Sequence, residues 1–144
     1  MIEEYSAQTG GRSLEEAQEI IAKGHPPIAD KIALIDFDGT LFPFGFLFDF
    51  PDPLPGAIEA LRALQNVGYK IWIFTSRLSP KWLESVDQTA GEHVHYITSI
   101  LYQHGIRVEG VTAEKFPAEF IVDDKAYRYE NNWEEIVGRI IGGR

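Results

Sequence analysis

Three apolar runs, each cut off by a cluster of reactive polar residues, constrain this chain more than any other feature. Lys31–Asp36 reads KIALID, Tyr69–Phe74 reads YKIWIF and Glu119–Val122 reads EFIV. Continuous apolar runs, as opposed to alternating ones, belong to strands buried on both faces, the usual state of a central parallel strand. Helical periodicity fills the intervals. Leu54-Pro55-Gly56 opens a stretch in which Ile58, Leu61, Leu64 and Val67 recur on one face, and Gly68 closes it. A second helix is expected over residues 91–103, ended by His104-Gly105, followed by a short strand over 106–111. A last helix over 132–141 sets Trp133, Ile136, Val137 and Ile140 on one face. The order strand, helix, strand, helix, strand, strand, helix predicts an α/β domain, a doubly wound parallel sheet with helices on both faces.

This α/β domain is expected over residues 31–144. Residues 1–30 form an N-terminal extension, in which Ser13-Leu14-Glu15-Glu16 resembles a capping box that opens a short helix to Lys23. The chain has no cysteine, so disulfides and thiolate metal sites are excluded. No basic-then-apolar leader and no membrane-spanning run is present, which makes the cytoplasm the expected location and a membrane partner unexpected. A net charge of −9 disfavours broad electrostatic binding to nucleic acid. It also means that an anionic substrate has to be met by local cations.

The strand ends carry the chemistry. The first run ends in Asp36-Phe37-Asp38-Gly39-Thr40, the second in Thr75-Ser76-Arg77, the third in Asp123-Asp124-Lys125. In open parallel sheets ligands bind beyond the carboxyl ends of the strands, so one edge gathers all three clusters. Clustered carboxylates repel unless a cation compensates them. An all-oxygen donor set suits Mg2+ better than zinc, with Asp36, Asp123 and the backbone carbonyl of Asp38 as ligands. Thr75 or Ser76 can donate hydrogen bonds to a phosphoryl group, Lys115 can neutralise it, and Gly39 permits close backbone approach. Asp36 is then the nucleophile on phosphorus. Asp38 protonates the leaving oxygen and afterwards deprotonates the water that opens the aspartyl-phosphate.

These residues resemble the haloacid dehalogenase (HAD)-like superfamily of phosphatases. IDFDGTL at Ile35–Leu41 is similar to its first motif and IFTSR at Ile73–Arg77 to its second. Lys115 is similar to its third and IVDDKAY at Ile121–Tyr127 to its fourth. The resemblance implies a Rossmann-like domain, magnesium as cofactor and an aspartyl-phosphate intermediate. It implies catalytic roles for Asp36, Asp38, Thr75 and Lys115, and substrate contacts from Gly39, Thr40, Ser76 and Arg77. Metal contacts fall to Asp36, Asp38, Asp123 and Asp124. Residues 39–74 and 76–114 each hold little beyond one helix and one strand, so the resemblance is to a small capless member. Such members often act on large substrates or close the site by forming homo-oligomers.

The expected function is therefore hydrolysis of a phosphomonoester whose identity the sequence does not carry. The alternatives are a polynucleotide end phosphatase, a phospho-receiver and a non-catalytic interaction module. Receivers place their acidic pair early and the phosphorylated Asp later, the reverse of the order here. Phe42, Phe44, Phe46, Phe48 and Phe50 alternate strictly; core packing or a dimer surface is favoured over a ligand-gripping flap. His93 and His95, two apart on a helix, are read as surface residues. Arg77, Lys81 and Arg128 are candidates for the site mouth, with a solvated role favoured for each.

Overall fold

The computed structural model describes residues 31–143. The expected helix at Ser13–Lys23 lies outside them. Four parallel strands, β1 (Ile32–Ile35), β2 (Lys70–Phe74), β3 (Gly110–Thr112) and β4 (Phe120–Val122), form one sheet in the order β3-β2-β1-β4. The helices are α1 (Ala57–Asn66), α2 (Pro80–Leu83), α3 (Ala90–Gln103) and α4 (Trp133–Ile141), with a 3-10 turn at Ser76–Leu78. The expected α/β class and parallel sheet are present.

Alternation within the strands divides the core. Ala33, Ile35, Ile71, Ile73 and Val111 face one side, against Ile58 and Leu61 of α1 and Tyr96, Ile97, Ile100 and Leu101 of α3. Ile32, Leu34 and Trp72 face the other. Both long connecting helices thus share one face. The chain steps from β1 to β2 to β3 in a single direction, and right-handed crossovers in one direction stay on one side. Among the described residues the opposite face is covered by the segment 113–119, with Phe116 meeting Trp72 edge to face at 5.0 Å. Of the expected helices on both faces, the core packing shows those on the side that α1 and α3 cover. A connection this short can pass beneath two strands because β3 and β4 have only three residues each.

The strand expected over 106–111 begins later, at Gly110. Gly105 N–H donates to Tyr102 O (2.9 Å) and Ile106 N–H to Leu101 O (3.0 Å), a Schellman motif that seals α3. Buried Ile106 and Leu101 supply its hydrophobic contact, so these residues belong to the helix end. Among the described residues, no helix is long and apolar enough to cross a membrane.

Candidate metal and phosphoryl site

β1 lies where the strand order reverses: the chain continues to β2 on one side, whereas β4 joins on the other. Crevices at such points are the binding sites of open α/β sheets. Here the carboxyl ends of β1 and β4 deliver Asp36 on one side and Asp123 and Asp124 on the other. The ladder carries past the strands, since Asp36 N–H donates to Val122 O at 2.9 Å. One carboxylate oxygen from each of the three acids lies within 4.8 Å of the others. Octahedral magnesium with bonds of about 2.1 Å separates its ligands by about 3–4 Å, so this all-oxygen set fits the ion with small adjustment.

The loop after β1 shows how sequence alternation builds the site. Phe37 turns into the core, its ring 5.1 Å from that of buried Phe42. Asp36 and Asp38, on either side of it, line a cleft of about 360 Å³. The Phe37 carbonyl accepts from Leu41 N–H (3.0 Å) and Phe42 N–H (3.2 Å), which curls the loop back on itself. Gly39 sits at φ 83°, where a side chain is strained. A Cβ there would overlap the Phe44 ring and lie 2.8 Å from Asp124 Oδ2. Thr40 Oγ1 donates to Asp36 Oδ2 at 3.1 Å and lies 3.5 Å from Asp124 Oδ1.

The acids strain against one another electrostatically. Asp36 is pushed up to about 7, first by burial, then by its hydrogen bond with Asp124 and the charge of Asp123. Hydrogen bonds from the Phe37 backbone and the Thr40 hydroxyl oppose that rise only in part. Keeping all three ionised together requires positive charge between them.

Asp38 is matched differently. Arg77 Nε donates to its Oδ2 (2.8 Å) and Nη2 to its Oδ1 (2.9 Å), a bidentate pair. The same guanidinium donates to the Leu47 and Phe46 carbonyls, each at 2.6 Å. It lies 5.3 Å from the Phe37 ring and 5.1 Å from the Tyr96 ring. Its side chain is 7% exposed. Expected as a substrate contact, Arg77 is instead the buried fastening of the loop 43–50. Tyr96 Oη adds a second fastening by donating to Asp49 O at 2.5 Å.

The chain matches no family model, no curated protein and no solved structure.

Thr75 and Ser76 line the cleft as expected. Thr75 Oγ1 accepts from Arg77 N–H at 3.1 Å, which leaves its own proton to donate. Lys115 is exposed on the 113–119 segment and is not among the residues that line the cleft. Lys125 does line it, with Nζ 5.1 Å from the centre of the Phe44 ring. Phe44, Phe74, Ser79 and Ala113 complete the wall. The signal for Lys125 was in the sequence, since it directly follows the acids of the third strand end.

The aromatic stretch forms no hairpin, because Pro43 and Gly45 turn the chain. Phe42 and Phe48 pack inward, and Phe44, Phe46 and Phe50 are exposed. His93 corrects the surface reading: it is fully buried between Phe48 (4.9 Å) and Trp82 (5.2 Å). On α3 it heads the stripe His93, Tyr96, Ile97, Ile100, Leu101, a spacing that marks the core face. Burial foremost, then the Arg77 charge, hold its pKa below the usual 6.5. Its Nδ1 lies 3.4 Å from Arg77 Nη1, and its Nε2 is buried with no hydrogen-bond partner among the described residues. His95 is exposed, as expected.

Proposed function

We propose that this chain is a magnesium-dependent phosphomonoester phosphatase of the HAD-like, capless type. The observation that carries this reading is the convergence of Asp36, Asp123 and Asp124 within 4.8 Å, from the ends of two strands, beside Thr75 and Ser76. The three carboxylates would hold the ion. When bound, it supplies positive charge to an anionic phosphoryl group and to the carboxylates around it.

The chain's own residues account for the rest. Asp36 Oδ attacks phosphorus; the bond from phosphorus to the ester oxygen breaks as a protonated Asp38 gives its proton to that oxygen, leaving an aspartyl-phosphate on Asp36. Thr75 and Ser76 orient the phosphoryl oxygens by donating hydrogen bonds. Asp38 then takes a proton from water, and that water attacks phosphorus to release phosphate and regenerate Asp36. Arg77 occupies one lone pair on each Asp38 oxygen, leaving another to accept from water. Asp38 is thus arranged as an acceptor, and donating a proton to the leaving oxygen requires that pairing to loosen.

The test is an assay across a panel of phosphate esters with and without Mg2+. Wild type should turn over at least one ester only with the metal, and Asp36→Asn should lower kcat by roughly 1,000-fold or more while keeping the fold. Absence of turnover for every ester would put the interaction-module reading ahead.

A further inference from the structure

The charge balance of the cleft calls for one more cation. Arg77 matches Asp38, which leaves the carboxylates of Asp36, Asp123 and Asp124. A divalent ion offsets two of those three charges. A phosphomonoester, itself close to doubly charged at neutral pH, would still meet a net negative wall.

Of the described residues that line the cleft, Lys125 alone is cationic. Its position follows from local structure. Asp123 Oδ1 accepts the Lys125 N–H at 2.7 Å, an Asx turn that folds the chain back at the end of β4. The ammonium then lies 5.1 Å from the centre of the Phe44 ring, within the range of a cation–π contact. Phe44 occupies the space that a Cβ on Gly39 would fill, so the glycine lets the ring settle over the loop that carries Asp36 and Asp38. Although 54% exposed, Phe44 therefore has a defined seat.

We propose that Lys125 binds the phosphoryl oxygens of the substrate, with Phe44 and Gly39 as positioning residues that set its ammonium at the cleft wall. The role expected of Lys115 passes to it. This assignment rests on the phosphatase reading for its substrate class, but its test does not depend on turnover.

The probe is inorganic phosphate, titrated calorimetrically into the protein at saturating Mg2+. Losing a charge-assisted contact should weaken binding by about tenfold or more in Lys125→Ala. Lys125→Arg should recover most of the affinity, and Phe44→Leu should fall between wild type and Lys125→Ala. Lys115→Ala should stay within about twofold of wild type, as a side chain outside the cleft would. In ester hydrolysis the Lys125→Ala defect should fall mainly on KM. The assignment is overturned if wild type binds no phosphate, if Lys125→Ala binds it like wild type, or if Lys115→Ala carries the loss. A wild type that binds phosphate through Lys125 yet cleaves no ester upholds the assignment and sinks the phosphatase reading. One that cleaves esters with Lys125→Ala unimpaired in binding does the reverse.

Discussion

Replacing Arg77 by methionine separates a fastening from a substrate contact. The change keeps most of the side-chain volume between Phe37 and Tyr96 but removes every donor. Two of the lost bonds go to Asp38, whose side chain is only 19% exposed. Two more go to the carbonyls of Phe46 and Leu47, which belong to exposed residues and can turn to water, so they contribute less. Stranding one member of a mostly buried ion pair costs about 3–5 kcal/mol. A domain of this size has roughly 5–15 kcal/mol in total, so the variant should fold but with much of its margin gone. Urea unfolding followed by tryptophan fluorescence, with buried Trp72 as a reporter, measures the loss. Adding Asp38→Leu should recover part of it, because the carboxylate is then no longer stranded. A loss below about 1 kcal/mol, or a double variant as unstable as the sum of its parts, would refute the account of Arg77 as a structural clamp.

Other consequences can be measured separately. Gly39→Ala forces a side chain into left-handed backbone and displaces the Phe44 ring; it should cost about 2–4 kcal/mol in denaturant unfolding. Asp36 is raised to about 7 from an unfolded value of 3.8, so the folded state holds a proton that the unfolded chain has lost. Its contribution is therefore full below about pH 4 and lost as pH rises through 7; thermal melts with chelator should show that decline, and Mg2+ should raise the melting temperature more at pH 8 than at pH 5. His93 has the opposite sign: with its folded pKa below 6.5, its contribution is present above 6.5 and lost as pH falls. The stability difference between wild type and His93→Leu should accordingly shrink in melts below pH 6.5, and a difference that grows on acidification would contradict the buried neutral ring.

The strands and the convergence of their acidic ends were legible because both follow from one rule, that a parallel sheet collects what its carboxyl ends carry. The helices over 57–66, 90–103 and 133–141 were legible from apolar spacing and glycine stops. Arg77 was not, because a short strand-end motif does not say whether its arginine faces a ligand or a neighbouring carboxylate; that depends on a loop thirty residues earlier offering two carbonyls. His93 was legible in principle, since its spacing to Tyr96, Ile97 and Ile100 places it on the apolar stripe, but pairing it with His95 drew attention to the wrong relation. Lys125 was obscured by Lys115. Only the path of 113–119 beneath the sheet, with Phe116 held on Trp72, shows which of the two lysines reaches the cleft.

Among the described residues β4 is an outer strand of three residues, hydrogen-bonded to β1 alone, and Ile121 and Val122 are exposed. Two of the three acids of the cluster thus hang from the part of the sheet least buttressed by packing. Fraying of this margin would disassemble the cluster while the helices and the other strands stayed folded. Any ion or anion that spans the two halves acts as a rivet, drawing on its own binding energy to fasten the outer strand to its neighbour.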